Sequence, residues 1–111
     1  PAFDIAFCLN HMLLKCLWTP AATPAFLAAF DALAGAYLQA VDWEAPDRIE
    51  QRAAALLPGL FLARVDGKSP VEYVTEEWQR ERVRRVASSL LKHPVTSLLS
   101  VRAAWAEELE R

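Results

Sequence analysis

Seven prolines divide this chain into stretches in which apolar residues recur every three or four positions. No stretch alternates apolar with polar. Spacing of three and four places side chains on one face of a helix. Proline, which fixes φ and lacks an N–H, is tolerated in a helix's first turn or just past its end. The two features together predict an all-α fold and leave no pattern for a sheet. Three glycines and abundant alanine and leucine agree with this, since Ala and Leu lose little conformational freedom in a helix. The length, 111 residues, suits one domain or part of one. The expectation is one helical domain or subdomain over residues 1–111, a compact bundle of about five to six helices.

The first helix is expected from Asp4 to Trp18, apolar almost all round and therefore buried, with Thr19-Pro20 ending it. Thr23 as N-cap and Pro24 at the first helical position open the second. Its core stripe is Phe26, Leu27, Phe30, Leu33, Ala34, Tyr37, Leu38 and Val41. A third helix begins at Ala45-Pro46 and turns Ile49, Ala53, Leu56 and Leu57 inward. Pro58-Gly59 reads as a break, with a short helix following to Val65. Asp66-Gly67-Lys68 reads as a turn, and Ser69-Pro70 as a cap followed by proline. Thr75 is the expected cap of a long helix to Lys92, with Trp78, Val83, Val86, Leu90 and Leu91 inward. After His93-Pro94, a last helix from Thr96 to about Glu110 buries Leu98, Val101, Trp105 and Leu109.

Bulk properties exclude several function classes. A net charge of −2 with interspersed signs is unlike a nucleic-acid binder. No apolar run reaches the roughly 18 residues of a membrane span. The opening stretch lacks the basic region and cleavage site of a signal peptide. Cys8 and Cys16, eight positions apart on one helix, are separated by about 12 Å, too far for a disulfide between them. Two free thiols in apolar surroundings point to a reducing, cytoplasmic setting.

Residues able to carry chemistry are few. Asp4, Cys8, His11 and Lys15 fall on one narrow line of the first helix. That line is a candidate substrate-binding face through Asp4, His11 and Lys15, or more weakly a metal site through Asp4, Cys8 and His11. The plainer reading, a structural polar line facing solvent or a partner, carries more weight. Asn10 points the opposite way, and if buried must find partners for its amide. Gly67-Lys68-Ser69 matches the end of a phosphate-binding loop, but lacks the earlier glycine and preceding strand that the loop requires. The run Glu76 to Arg85 reads as a solvated face with Glu76–Arg80 and Glu81–Arg85 ion pairs. Most of the four tryptophans read as core, and Trp43 with Glu44 as a minor ligand-contact candidate. No Ser-His-acid set, carboxylate pair or Cys-x-x-Cys assembles a catalytic centre. Pro1 as a catalytic amine requires the strand-helix-strand units of tautomerases, which are absent, so it reads as a cut or processed start.

The opening Pro1-Ala2-Phe3-Asp4-Ile5-Ala6 resembles a segment of aminoglycoside phosphotransferases and related small-molecule kinases, including choline and methylthioribose kinases. In that family Gly-Asp-Pro-x-x-Asp-(Leu/Ile)-Ala follows the metal-binding acid and opens a C-lobe helix. Asn10-His11 is similar to the Asn-containing part of that helix. Leu62-Ala63-Arg64-Val65-Asp66-Gly67-Lys68-Ser69-Pro70-Val71-Glu72-Tyr73 resembles C-terminal segments of bacterial members. The resemblance implies the C-terminal helical subdomain of a protein-kinase-like fold, from an ATP-dependent phosphotransferase acting on a small hydroxyl compound. It places the catalytic Asp, the metal-binding Asp, the nucleotide-binding Lys and the loop over ATP upstream of Pro1. The chain would then be a fragment with no catalytic, cofactor or metal residue of its own, and Mg-ATP would belong to the parent enzyme. Asp4 would be a structural acid at the helix start, and helix one with the loops near Trp43 would help form the acceptor pocket. The expected partner is the missing N-terminal part, or a second copy through the apolar first helix. The alternative is a self-standing helical interaction module.

Overall fold

The computed structural model describes residues 2–66, 74 and 76–111. Five helices form: α1 (Ala2–Trp18), α2 (Thr23–Ala40), α3 (Pro46–Asp66), α4 (Glu77–Lys92) and α5 (Leu98–Leu109), with a 3-10 turn at Pro20–Ala22 before α2. Among the described residues there is no strand, so the all-α expectation holds. The Cα radius of gyration, 13.3 Å, matches the value of about 13 Å for a compact domain of this length.

Helix α3 packs against all four other helices, and helix α1 packs against α2 as well as α3. The buried residues of α1, among them Ile5, Leu9, Leu13 and Leu17, join Phe30, Phe61, Val83 and Trp105 in the main core. Phe61 and Trp105 meet edge to face, with ring centroids 5.3 Å apart, a geometry favoured by the ring quadrupoles. The greasy first helix is thus covered within the chain. The large exposed apolar patch expected on this helix is therefore not present among the described residues. The exposed part of α1 is a narrower face that includes Phe3, Asp4 and Cys8.

Several boundaries move. Helix α1 starts at Ala2 rather than Asp4, and Ala22, not Thr23, holds the N-cap of α2. Residues Pro20–Ala22 wind into the 3-10 turn and carry Thr23 into helical geometry. Pro58 breaks nothing: α3 runs through it to Asp66. An interior proline costs about 3 kcal/mol in a helix. Here its neighbours Leu57 and Phe61 are fully buried in the core, and each such burial contributes about 1.5–3 kcal/mol, enough to hold the helix together. Glu76 caps α4, its N–H donating to Gln79 Oε1 at 2.9 Å. Ser97 caps α5, accepting from the Ser100 N–H at 3.1 Å. The Glu50 carboxylate adds a second cap by accepting from the Leu98 N–H at 2.9 Å. Pro1, Thr75 and the turn and cap read at Gly67, Lys68, Ser69 and Pro70 lie outside the described residues.

The inward set is also revised. Leu56, Trp78 and Leu91 are exposed. On α4 the buried line is Gln79, Val83, Val86, Ala87 and Leu90. Trp78 and Leu91 lie about 100° or more to either side of it, so a stripe holding both was too wide. Leu109 is only half-buried. Trp105 is the core tryptophan, whereas Trp18, Trp43 and Trp78 are more than half exposed.

One stretch passes a looser measure than a count of uninterrupted apolar residues. Residues Pro20–Ala40 are long and apolar enough to cross a membrane by length and composition, with a mean hydropathy of 1.3. Asp31 is the one charged residue in that stretch. Its inner line, Leu27, Phe30 and Ala34, is buried against the rest of the bundle.

Candidate functional site

The predicted line on α1 exists as a face. Asp4 and Cys8 are exposed, and His11 and Lys15 are half-buried beside them. Aromatic rings extend it. Phe3 stacks on Phe7 with centroids 6.0 Å apart, and Phe7 meets the His11 ring edge to face at 5.0 Å. The guanidinium of Arg64, near the end of α3, lies 5.8 Å from the Phe7 ring centre. Burial pushes the His11 pKa down, and the nearby Arg64 and Lys15 charges push the same way. Both effects favour the neutral imidazole, in which one ring nitrogen is a donor and the other an acceptor.

This face does not form one catalytic cluster. At 1.5 Å per residue, Asp4 and His11 are about 10 Å apart along the helix. His11 and Lys15 are one turn apart and couple electrostatically. Among the described residues no three His, Cys, Asp or Glu side chains gather to hold a metal ion. The weaker reading of Asp4, Cys8 and His11 as a metal site gains no support from the geometry.

The basic run of α4 is occupied differently from its predicted pairing. Arg84 binds Asp66 (Nη2 to Oδ1, 2.6 Å), Glu77 (2.6 Å) and Glu81. Arg80 pairs with Glu77 at 3.5 Å, one position from the predicted Glu76. Arg85 reaches across to Glu108 on α5, Nε to Oε1 and Nη2 to Oε2 both at 3.0 Å. The bonds from Arg84 hold the Asp66 and Glu77 carboxyls below their ordinary range. Glu44 is likewise taken, ion-paired to Arg52, while Trp43 leans on Tyr37 edge to face at 6.4 Å.

A second site, not foreseen from the sequence, lies at the opposite end of α1. A groove of about 620 Å³ opens between the end of α1, the start of α2, the start of α4 and the end of α5. Leu17, Pro24, Leu27, Leu109 and the Trp78 indole supply apolar wall, and Arg82 and Arg102 enter from α4 and α5. Arg82 lies 5.8 Å from the Trp78 ring centre. It also donates to the carbonyl oxygens of Glu108 (2.9 Å) and Arg111 (3.0 Å). The one sequence signal for this site was Trp78 four residues before Arg82, a spacing that puts a cation beside an aromatic ring on one helix face.

No protein-family model, curated protein or solved structure matches this chain.

Proposed function

We propose that this chain is the C-terminal helical portion of an ATP-dependent phosphotransferase acting on a small hydroxyl compound. The observation that carries the reading is the position of Asp4. It stands in the first turn of α1, on that helix's open face, where Pro1-Ala2-Phe3-Asp4-Ile5-Ala6 resembles the helix opening of small-molecule kinases. In this reading Asp4 orders the catalytic region without being its base. The face through Phe7, His11 and Lys15 lies against the remainder of the enzyme or its acceptor. Mg-ATP would be bound by residues of the larger protein, in the cytoplasm, and this chain's contribution is a rigid floor.

The test begins with the reading frame that encodes the chain. The reading requires an acidic metal-binding motif immediately before Pro1. The longer protein should then convert ATP to ADP only when a hydroxyl acceptor from a panel of aminoglycosides, choline and thiosugars is present. Asp4→Asn should lower kcat more than it raises KM. A frame that opens at Pro1, or a longer protein that turns over no ATP with any acceptor, removes the proposal. A second reading, a helical interaction module, draws on the outer face of α2, where Ala25, Ala28, Ala32 and Ala36 are exposed. A frame opening at Pro1 would favour it.

A further inference from the structure

We infer that the groove at the far end of α1 is a binding site for a small amphiphilic acid, a single carboxylate on an alkyl or aryl body. The site is separate from the Asp4 face. Cys16 lines the groove, and twelve residues of helix put it about 18 Å along α1 from Asp4. Its volume of about 620 Å³ falls within the range of about 300–1,000 Å³ typical of small-molecule pockets. The wall is largely apolar, with few polar groups converging on it, which is the composition such pockets share.

The arginines select the charge. The side chain of Arg102 is 26% exposed, and its Nε lies 2.7 Å from Asp31 Oδ1. That contact is an ion pair with poor hydrogen-bond alignment, since the Nε is buried without a hydrogen-bond partner. The Nη edge of Arg102 makes no hydrogen bond among the described residues. Only the Nε is buried without a hydrogen bond, so the Nη edge stays accessible to an incoming acceptor. The best partner for a guanidinium is a carboxylate, which can accept two parallel bonds. Arg82, stacked near Trp78, adds a second positive charge at the wall. Glu110 is the carboxylate among the lining residues, and Asp31 is paired with Arg102. Arg82 is held by backbone oxygens rather than by a side-chain carboxylate, so its charge is the one that a single carboxylate would neutralise, which favours a monoanion over a dianion or a cation. The hydrocarbon body would lie on Leu17, Leu27, Leu109 and the Trp78 indole.

The test is an NMR titration of the whole chain with three probes that share one tail: decanoate, 1-decanol and decyltrimethylammonium. Decanoate should give saturable shifts centred on Leu17, Leu27, Ala106 and the Trp78 indole N–H. It should bind at least about tenfold tighter than the alcohol, equivalent to about 1.4 kcal/mol. Arg102→Gln should bring decanoate down to the level of the alcohol, while Arg102→Lys retains part of the preference. Asp31→Asn, which frees Arg102 from its competitor, should tighten decanoate binding. Ala106→Trp, which fills the groove, should abolish it. Equal affinity for acid and alcohol, a preference for the ammonium probe, or shifts centred elsewhere would overturn the inference. Shifts at these residues that depend on protein concentration without probe would assign the groove to a second copy and overturn it too.

Discussion

Gln79 joins the start of one helix to the end of another: its Nε2 donates to the carbonyl oxygen of Leu17 at 3.3 Å, inside the core. Its Oε1 accepts from the Glu76 N–H at 2.9 Å. The Leu17 carbonyl lies in the last turn of α1, where helical acceptors lose their intrahelical donors. One amide therefore serves orphan groups at two helix ends. Gln79→Met keeps the volume and removes both bonds. The expected loss is about 1–3 kcal/mol, because a buried acceptor is left bare, read as a lower urea midpoint at unchanged slope. Gln79→Glu should restore the cap on Glu76 yet remain destabilised, since a carboxylate cannot donate to Leu17. A variant as stable as the parent would show that the Leu17 carbonyl finds another partner.

Asn10 presents the opposite case. It is fully buried on α1, and neither Oδ1 nor Nδ2 has a hydrogen-bond partner. A partnered amide was the expectation for a buried Asn, and the geometry corrects it. An unsatisfied polar group inside a core costs about 1–3 kcal/mol. Asn10→Leu, close in size and apolar, should raise stability by a similar amount, measured by urea unfolding. Asn10→Asp should lower it sharply, because a charge is harder to bury than an amide. A destabilised Asn10→Leu would mean that the amide is satisfied in solution.

The helices and most of their inner faces were legible because the 3.6-residue period survives wherever a helix has one dry side, as on α5 with Leu98, Val101 and Trp105. Pro58 was misread because local propensity marks a break there, while core packing along Leu57 and Phe61 decides the outcome. Trp78 and Leu91 are apolar by type, but their angular positions on α4 fall outside the line of Gln79, Val83, Val86, Ala87 and Leu90, so both are exposed. The α1 line of Asp4, Cys8, His11 and Lys15 could be read because all four lie on one element. The groove could not, since Leu17, Leu27, Arg82 and Arg102 come from four helices, and periodicity assigns faces without naming neighbours. The Arg85–Glu108 and Arg84–Asp66 pairs escaped for the same reason.

Glu108 makes the stability of the bundle sensitive to acid. The carboxylate is buried on α5 and takes two bonds from Arg85. Those bonds hold its pKa below the ordinary value of 4.5 against the opposing effect of burial. A lowered carboxyl pKa stabilises the fold fully above the ordinary value, and the contribution is lost as pH falls through the lowered one. Glu108→Gln should therefore be less stable than the parent at pH 7. The gap should close as the pH is taken below about 4.5, the ordinary value. Thermal melts from pH 7 to pH 2.5 check this. A gap of constant size would place the acid sensitivity in other carboxylates.

The two cysteines should behave as different chemical species. Cys8 is exposed and Cys16 is buried. Burial pushes the Cys16 thiol pKa up, and its Sγ lies 3.7 Å from the Met12 carbonyl oxygen as a weak donor. The thiolate is the reactive form, so a raised pKa and poor access both slow Cys16. An aromatic disulfide reagent at pH 8 should titrate one thiol in the native protein and the second only after denaturant is added. Cys8→Ser should remove the fast phase, and Cys16→Ser the slow one. Their separation of about 12 Å along the helix forbids an internal bridge. Mild oxidation should therefore yield a dimer linked through Cys8, and Cys8→Ser should stay monomeric under the same treatment. Two equally fast native thiols would show that Cys16 is reached from the groove it lines, and that the end of α1 opens readily in solution.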